Sequence, residues 1–245
     1  MPIVLVSVVL LQIACAVHAV RSGRPHYWIF IIIVAPMLGC IVYFIVAILP
    51  DMAQSRTARH AQASLVKAID PDRDLRTLTD RFETADTIDN RRALAEEYLS
   101  RGEHGQAIML YEGALIGPHR DDPILLQGLA AARFEGRQYS KALATLDRLR
   151  AANPDYRSAS AHLLYARSLE GAGRDREALD EYLALTSYFP GAEAKCRMAM
   201  LLDRLGRAAD ARPVYQDIVR SLDRAGRPYR DAQREWYELA RRHLG

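Results

Sequence analysis

The sequence predicts an all-α protein in two parts: an N-terminal transmembrane helical hairpin, then an α-solenoid ending in a C-terminal capping helix. Two observations carry that prediction. From Pro2 to Pro50 the only formally charged side chains are Arg21 and Arg24, whereas from Asp51 onward nearly every ten residues hold several Arg, Asp or Glu. Within the charged part, short glycine turns followed by alanine return about every 34 residues. The first fifth is suited to an apolar solvent, and the remainder is polar and periodic.

The apolar fifth divides at a short basic turn. Residues 3–20 hold 18 positions without a charge and residues 27–49 hold 23. A hydrocarbon core about 30 Å thick needs roughly 20 helical residues, so both stretches are read as spans. Lipid offers the backbone no hydrogen bonds, which favours helices. Tyr27 and Trp28 stand where an interfacial aromatic belt places them, and Pro36 with Gly39 predicts a kink in the second span. A cleaved signal peptide is the rival for the first span, with Val17 to Ala19 as its cleavage site. No Lys or Arg precedes the apolar run, and a second span follows at once, so a hairpin is expected.

The stretch from Arg21 to Leu49, "RSGRPHYW" and then an apolar run containing Pro36 and Gly39, resembles the N-terminal membrane domain of the phospholipase D-type cardiolipin synthase family. That family's catalytic signature is H-x-K-x-x-x-x-D. None of His18, His26, His60, His104, His119, His162 or His243 has Lys two residues later, so the resemblance implies an anchor without the enzyme.

Residues 51–87 read as an amphipathic linker and a short helix. "MAQSRTARHAQASLVKAI" carries Arg56, Arg59 and Lys67 with no acid, while Ala58, Ala61, Leu65 and Ile69 recur at helical spacing. It suits either an anionic membrane surface or a stalk continuing the second span. Asp70-Pro71 ends it, and "DLRTLTDRFETADTIDN" is expected to form a short helix and turn against the repeats.

The repeats follow over 88–225. Gly102, Gly136, Gly173 and Gly206 are separated by 34, 37 and 33 residues, and Ala107, Ala142, Ala178 and Ala211 by 35, 36 and 33. Each glycine permits the left-handed backbone that ends a helix. The small alanines let two helices approach closely. Tyr111, Leu146, Tyr182 and Tyr215, four residues on, fill the space between them, and Pro154 and Pro190 close the middle units. These features resemble the tetratricopeptide repeat (TPR) family, with four units near 88–121, 123–156, 159–192 and 192–225. The large aromatic that the family places early in its first helix is missing from all four, and Asp223 stands where a closing proline is expected. The final segment, 226–245, reads as the capping helix: Trp236, Leu239 and Leu244 form an apolar stripe, and Arg227, Arg230, Arg234, Arg241 and Arg242 a wet face.

Function is bounded mainly by exclusion. Thirty-three basic residues against 30 acidic ones give a net charge of +3 with both signs interspersed, which argues against nucleic acid as a partner. Cys15, Cys40 and Cys196 form no metal-ligand pattern, and Cys196 reads as a buried thiol. The sequence holds no phosphate loop, no G-x-S-x-G elbow and no H-E-x-x-H zinc helix; no catalytic residue, metal or cofactor is assigned. The expected activity is protein binding in a groove lined by the first helix of each unit, where helical spacing places Arg92, Glu96, Gln127, Arg167 and Met200. Asn90 and Asn153 fall off that face, which excludes the TPR subtype that clamps a terminal carboxylate with paired asparagines. The expectation is a multi-pass scaffold of a bacterial-type inner membrane. Its hairpin meets lipid, and its repeats hold a protein partner. The alternative is an accessory subunit of an envelope lipid-synthesis enzyme. Arg56, Arg59 and Lys67 against Arg21 and Arg24 tip the repeats toward the cytoplasm.

Overall fold

The computed structural model describes residues 70–245 and, within the first fifty, only Gln12, Ile13, Val17, Arg21, Phe30, Ile31 and Val42, each in helical conformation. The expected spans at 3–20 and 27–49, with the turn between them, therefore lie outside the described residues apart from those seven positions. The basic segment 52–69 lies outside them altogether. Among the described residues no helix is long and apolar enough to cross a membrane. The chain divides into Met1–Arg73 and Asp74–Gly245, and the second unit carries the repeats.

That unit is all helix among its described residues. It begins with α1 (Arg73–Thr84). Four antiparallel pairs follow: α2 (Ile88–Ser100) with α3 (His104–Ala114), α4 (Pro123–Glu135) with α5 (Tyr139–Ala152), α6 (Ala159–Gly171) with α7 (Asp175–Leu185), and α8 (Glu193–Arg204) with α9 (Ala208–Arg224). A short 3-10 turn, Gly117–His119, links the first two pairs. Where one capping helix is expected over 226–245, the chain forms two, α10 (Arg227–Ala232) and α11 (Arg234–Leu244). From α2 to α9 each helix packs chiefly on its neighbours in sequence, and α11 packs back on α9, which makes the unit a solenoid.

Local chemistry sets the boundaries. Thr87 caps α2 by accepting from the Asn90 amide at 3.2 Å. Asp122 accepts from the amides of Ile124 and Leu125 at the start of α4, where Pro123 gives up no needed N–H. Ser158 does the same for Ala161 in α6. The turn inside each pair needs one left-handed residue. Gly102, Gly173 and Gly206 supply it, with φ of 76°, 74° and 75°. In the second pair it is not the expected Gly136, whose φ is −75°, but Arg137 at 57°. The left-handed positions are thus spaced 35, 36 and 33, in register with the alanines.

Ala107, Ala142, Ala178 and Ala211 are completely buried, and Tyr111, Leu146, Tyr182 and Tyr215 nearly so. The core is a succession of clusters along the stack. Trp236, Leu239 and Leu244 pack on the last of these, with Ala240 buried among them. Cys196 is fully buried below the cap, its thiol 3.8 Å from the Trp236 carbonyl. Asp223, which lets α9 run past the expected stop, accepts from the Tyr237 hydroxyl at 2.8 Å and ties the fourth pair to α11.

Candidate partner-binding groove

The first helices α2, α4 and α6 touch one another in succession, while no contact of similar extent joins the second helices α3, α5 and α7. A stack whose first helices draw together on one side places α2, α4 and α6 along the inner face, and Arg204 ties α8 to α6 at Glu170. All five residues expected in the groove sit on those helices, but in different states. Arg92 spends its guanidinium within α2, 3.7 Å from Asp89 and 3.5 Å from Glu96, so those two groove residues pair with each other. Gln127 is fixed: its amide donates to the Ser160 hydroxyl at 3.1 Å, and its carbonyl accepts from Tyr156 and Ser158 at 3.0 and 2.9 Å. Arg167 reaches back to α4, 4.0 Å from Glu135 and stacked 4.5 Å over the Phe134 ring. Met200 is 38% exposed and apolar.

Three further groups complete the face. Arg204 bridges Glu170 on α6 at 2.9 Å and Asp175 on α7 at 2.8 Å. Glu170 also accepts from the Tyr182 hydroxyl at 2.7 Å. In the next unit Asp203 repeats the arrangement with Tyr215 at 3.0 Å and adds His243 of the cap at 3.1 Å. The spacing rule that selected Arg167 and Met200 would have reached Glu170 and Asp203 as well, since each lies three residues on, one turn along the same face. Arg204 carries no such signal, because its role depends on α7.

Tyrosines of the second helices lie buried against this face. Burial, then the charge of Glu96, pushes Tyr111 up to about 12. Burial first and Glu170 second raise Tyr182, and burial first with Asp203 raises Tyr215. All three stay protonated donors at neutral pH, each beneath a carboxylate of a first helix. The result is a surface of paired charges over buried tyrosines. Partner charges that replace one member of a pair gain specificity and orientation more than raw affinity.

Asn90 and Asn153 are both committed elsewhere. Asn90 donates to the Arg81 and Ala85 carbonyls, which fastens the turn after α1, and Asn153 donates to those of Asp121 and Leu149. Among the described residues no three His, Cys, Asp or Glu side chains come together as a metal ion would require.

Residues 98–163 match the family model described as tetratricopeptide repeat. No curated protein matches the chain in sequence. Among solved structures, MamA from its residue 41 to its end, from Desulfovibrio magneticus RS-1, superposes with a TM-score of 0.56 at 15% identity, covering 68% of this chain and 93% of that one. A thermophilic TPR protein from Thermus thermophilus superposes with a TM-score of 0.53 at 17% identity, covering 68% and 88%. At such identities the likeness is one of fold.

Proposed function

From a chain that carries tetratricopeptide repeats over 98–163 and folds as a solenoid of that type, we propose a membrane-anchored scaffold whose inner face holds a protein partner. The observation that carries the reading is the inner face itself. Arg92–Glu96, Gln127 with Ser160, Arg167–Glu135, Arg204–Glu170 and Asp203 line successive first helices, with exposed Met200 among them. Such a surface suits an extended peptide or a helix with both signs of charge. Solenoids present this kind of concave surface for binding because each repeat contacts only its neighbours.

Anchoring rests on the sequence: the charge-free stretches 3–20 and 27–49 on either side of Arg21 and Arg24. Arg56, Arg59 and Lys67, without an acid among them, favour the cytoplasmic side of a bacterial-type inner membrane for the repeats. The second reading is an accessory subunit of an envelope lipid-synthesis enzyme, and it draws on the stretch Arg21 to Leu49. Crosslinking the full chain and a form lacking residues 1–50, then identifying what is captured, separates the two. The scaffold reading expects the shortened form to keep its partner when concentration is matched. A partner captured by residues 1–50 alone contradicts it.

A further inference from the structure

A second recess borders the groove at Gln127, which accepts from the lining residues Tyr156 and Ser158, at the junction of the second and third pairs. It measures about 580 Å³ and is walled by Leu146, Leu149, Ala161, Tyr165, Tyr156 and Tyr188. Ligand cavities run from about 300 to 1,000 Å³, so it has the volume for a large apolar group.

Its polar lining groups are almost all committed. The Tyr156 hydroxyl and Ser158 donate to Gln127. Asn153 holds two backbone carbonyls. His162 is fixed between Glu181 and the Tyr188 hydroxyl, which holds the half-exposed Tyr188 ring at the rim. Arg150 lies 4.9 Å over the Tyr165 ring and 3.3 Å from Asp147. The exception is Arg157, an exposed rim guanidinium with no ion pair or hydrogen bond among the described residues.

We propose that this recess is an anchor pocket for an aromatic side chain of an acidic peptide segment, with the ring among Tyr156, Tyr165 and Tyr188 and a flanking carboxylate on Arg157. Two features select a peptide over a small metabolite. Small-molecule sites converge several free polar groups on the ligand to orient it, and here those groups are already used. Protein interfaces instead seat one aromatic anchor in a preformed apolar pocket, with charge at the rim steering it. The sign follows from Arg157, the one uncommitted charge on the rim among the described residues, so a basic peptide is rejected. This site is independent of the groove reading and would stand without it.

The test uses the full chain and ligand-observed fluorine NMR. The probe is acetyl-Asp-Phe-Asp-amide carrying 4-fluorophenylalanine, compared with the Lys-Phe-Lys analogue and with free 4-fluorophenylacetate. Saturable broadening is expected for the acidic peptide, at least about tenfold weaker for the basic one and for free 4-fluorophenylacetate. Arg157→Glu should weaken the acidic peptide by a similar factor, and Ala161→Leu, which fills the floor, should abolish it. Arg157→Glu changes an exposed side chain and leaves the core alone, so it decides the matter should Ala161→Leu fold poorly. Equal response to acidic and basic peptides overturns the proposal. So does tighter binding of free 4-fluorophenylacetate, or loss of signal in Arg92→Glu with Arg157→Glu unchanged.

Discussion

Gly128 sits in the middle of α4, where helix propensity alone says that alanine would stabilise the chain by about 1 kcal/mol. The structure reverses the sign. A Cβ at that position would lie 2.5 Å from Cε1 and Cζ of the Tyr111 ring and 2.7 Å from its hydroxyl. Carbon atoms in contact sit about 3.5–4.0 Å apart, so the ring would have to retreat by roughly 1 Å. Tyr111 is 2% exposed and packed among Ala95, Ala107 and Leu125, which leaves nowhere to retreat. Overpacking of this kind costs about 1–3 kcal/mol, and the severity of the contact places it near the upper end. Set against the helix gain, Gly128→Ala should destabilise by about 2 kcal/mol, lowering the melting midpoint by roughly 4–8 °C for a domain of this size. Circular dichroism melts on wild type, Gly128→Ala, Tyr111→Leu and the double variant close the cycle. The double variant should be more stable than the sum of the singles, because the smaller Leu side chain frees the space that Cβ needs. Gly105→Ala, where nothing lies within 4 Å, serves as the helical control and should be neutral or slightly stabilising. A raised midpoint in Gly128→Ala would refute the close approach of α3 and α4.

Arg137→Gly should stabilise by about 1 kcal/mol, since a left-handed backbone costs a residue with Cβ roughly 1–2 kcal/mol; urea unfolding reads this directly, and an unchanged midpoint contradicts the 57° φ. Ala178→Trp, at a fully buried contact of α6 and α7, should cost about 3 kcal/mol or more, while wild-type stability would show that the helices are not in close contact there. Burial pushes both the Cys196 thiol and the Tyr111 hydroxyl up to about 12, so the folded chain keeps protons that the unfolded chain releases near pH 9 and 10. The Cys196 contribution is therefore full below about pH 9 and the Tyr111 contribution below about pH 10, and each is lost as pH rises toward 12, at roughly 1.4 kcal/mol per pH unit. Urea midpoints taken through that window should fall steeply, and an alkylating reagent should label Cys196 only on unfolding; fast labelling of the native chain would place the thiol at the surface.

The repeat was legible because the contacts that define it are local and recur. A buried alanine and a large residue four positions later mark each second helix, and the structure buries all eight. Reading the turn by glycine failed once, at Gly136, because a left-handed residue is required there and glycine only makes it cheap. The helix–turn spacing moves the requirement one residue on, to Arg137. The groove helices followed from periodicity, but the partners of their side chains did not. Arg204 joins α8 to α6 and to α7, and Arg167 joins α6 to α4, across 34, 29 and 32 residues of chain. The recess beside Tyr188 was invisible for the same reason. It exists because the ends of α5 and α7 and the start of α6 converge, and no spacing on one helix records that. The split of the cap at Gln233 had no clear marker either: the residue is helix-compatible, but its amide oxygen is drawn off to accept from the Ala192 amide at 3.0 Å.

The central claim is that a protein partner lies along the first helices, and site-specific photocrosslinking in cells tests it most directly. A benzophenone side chain replacing exposed Met200 on α8 should trap a discrete protein adduct, and the adduct should fade when Arg167→Glu or Arg204→Glu disturbs the neighbouring pairs. The same probe at exposed Met109 on α3, a second helix, should trap none. An adduct at Met109 and not at Met200, or one at Met200 indifferent to both charge reversals, contradicts the account.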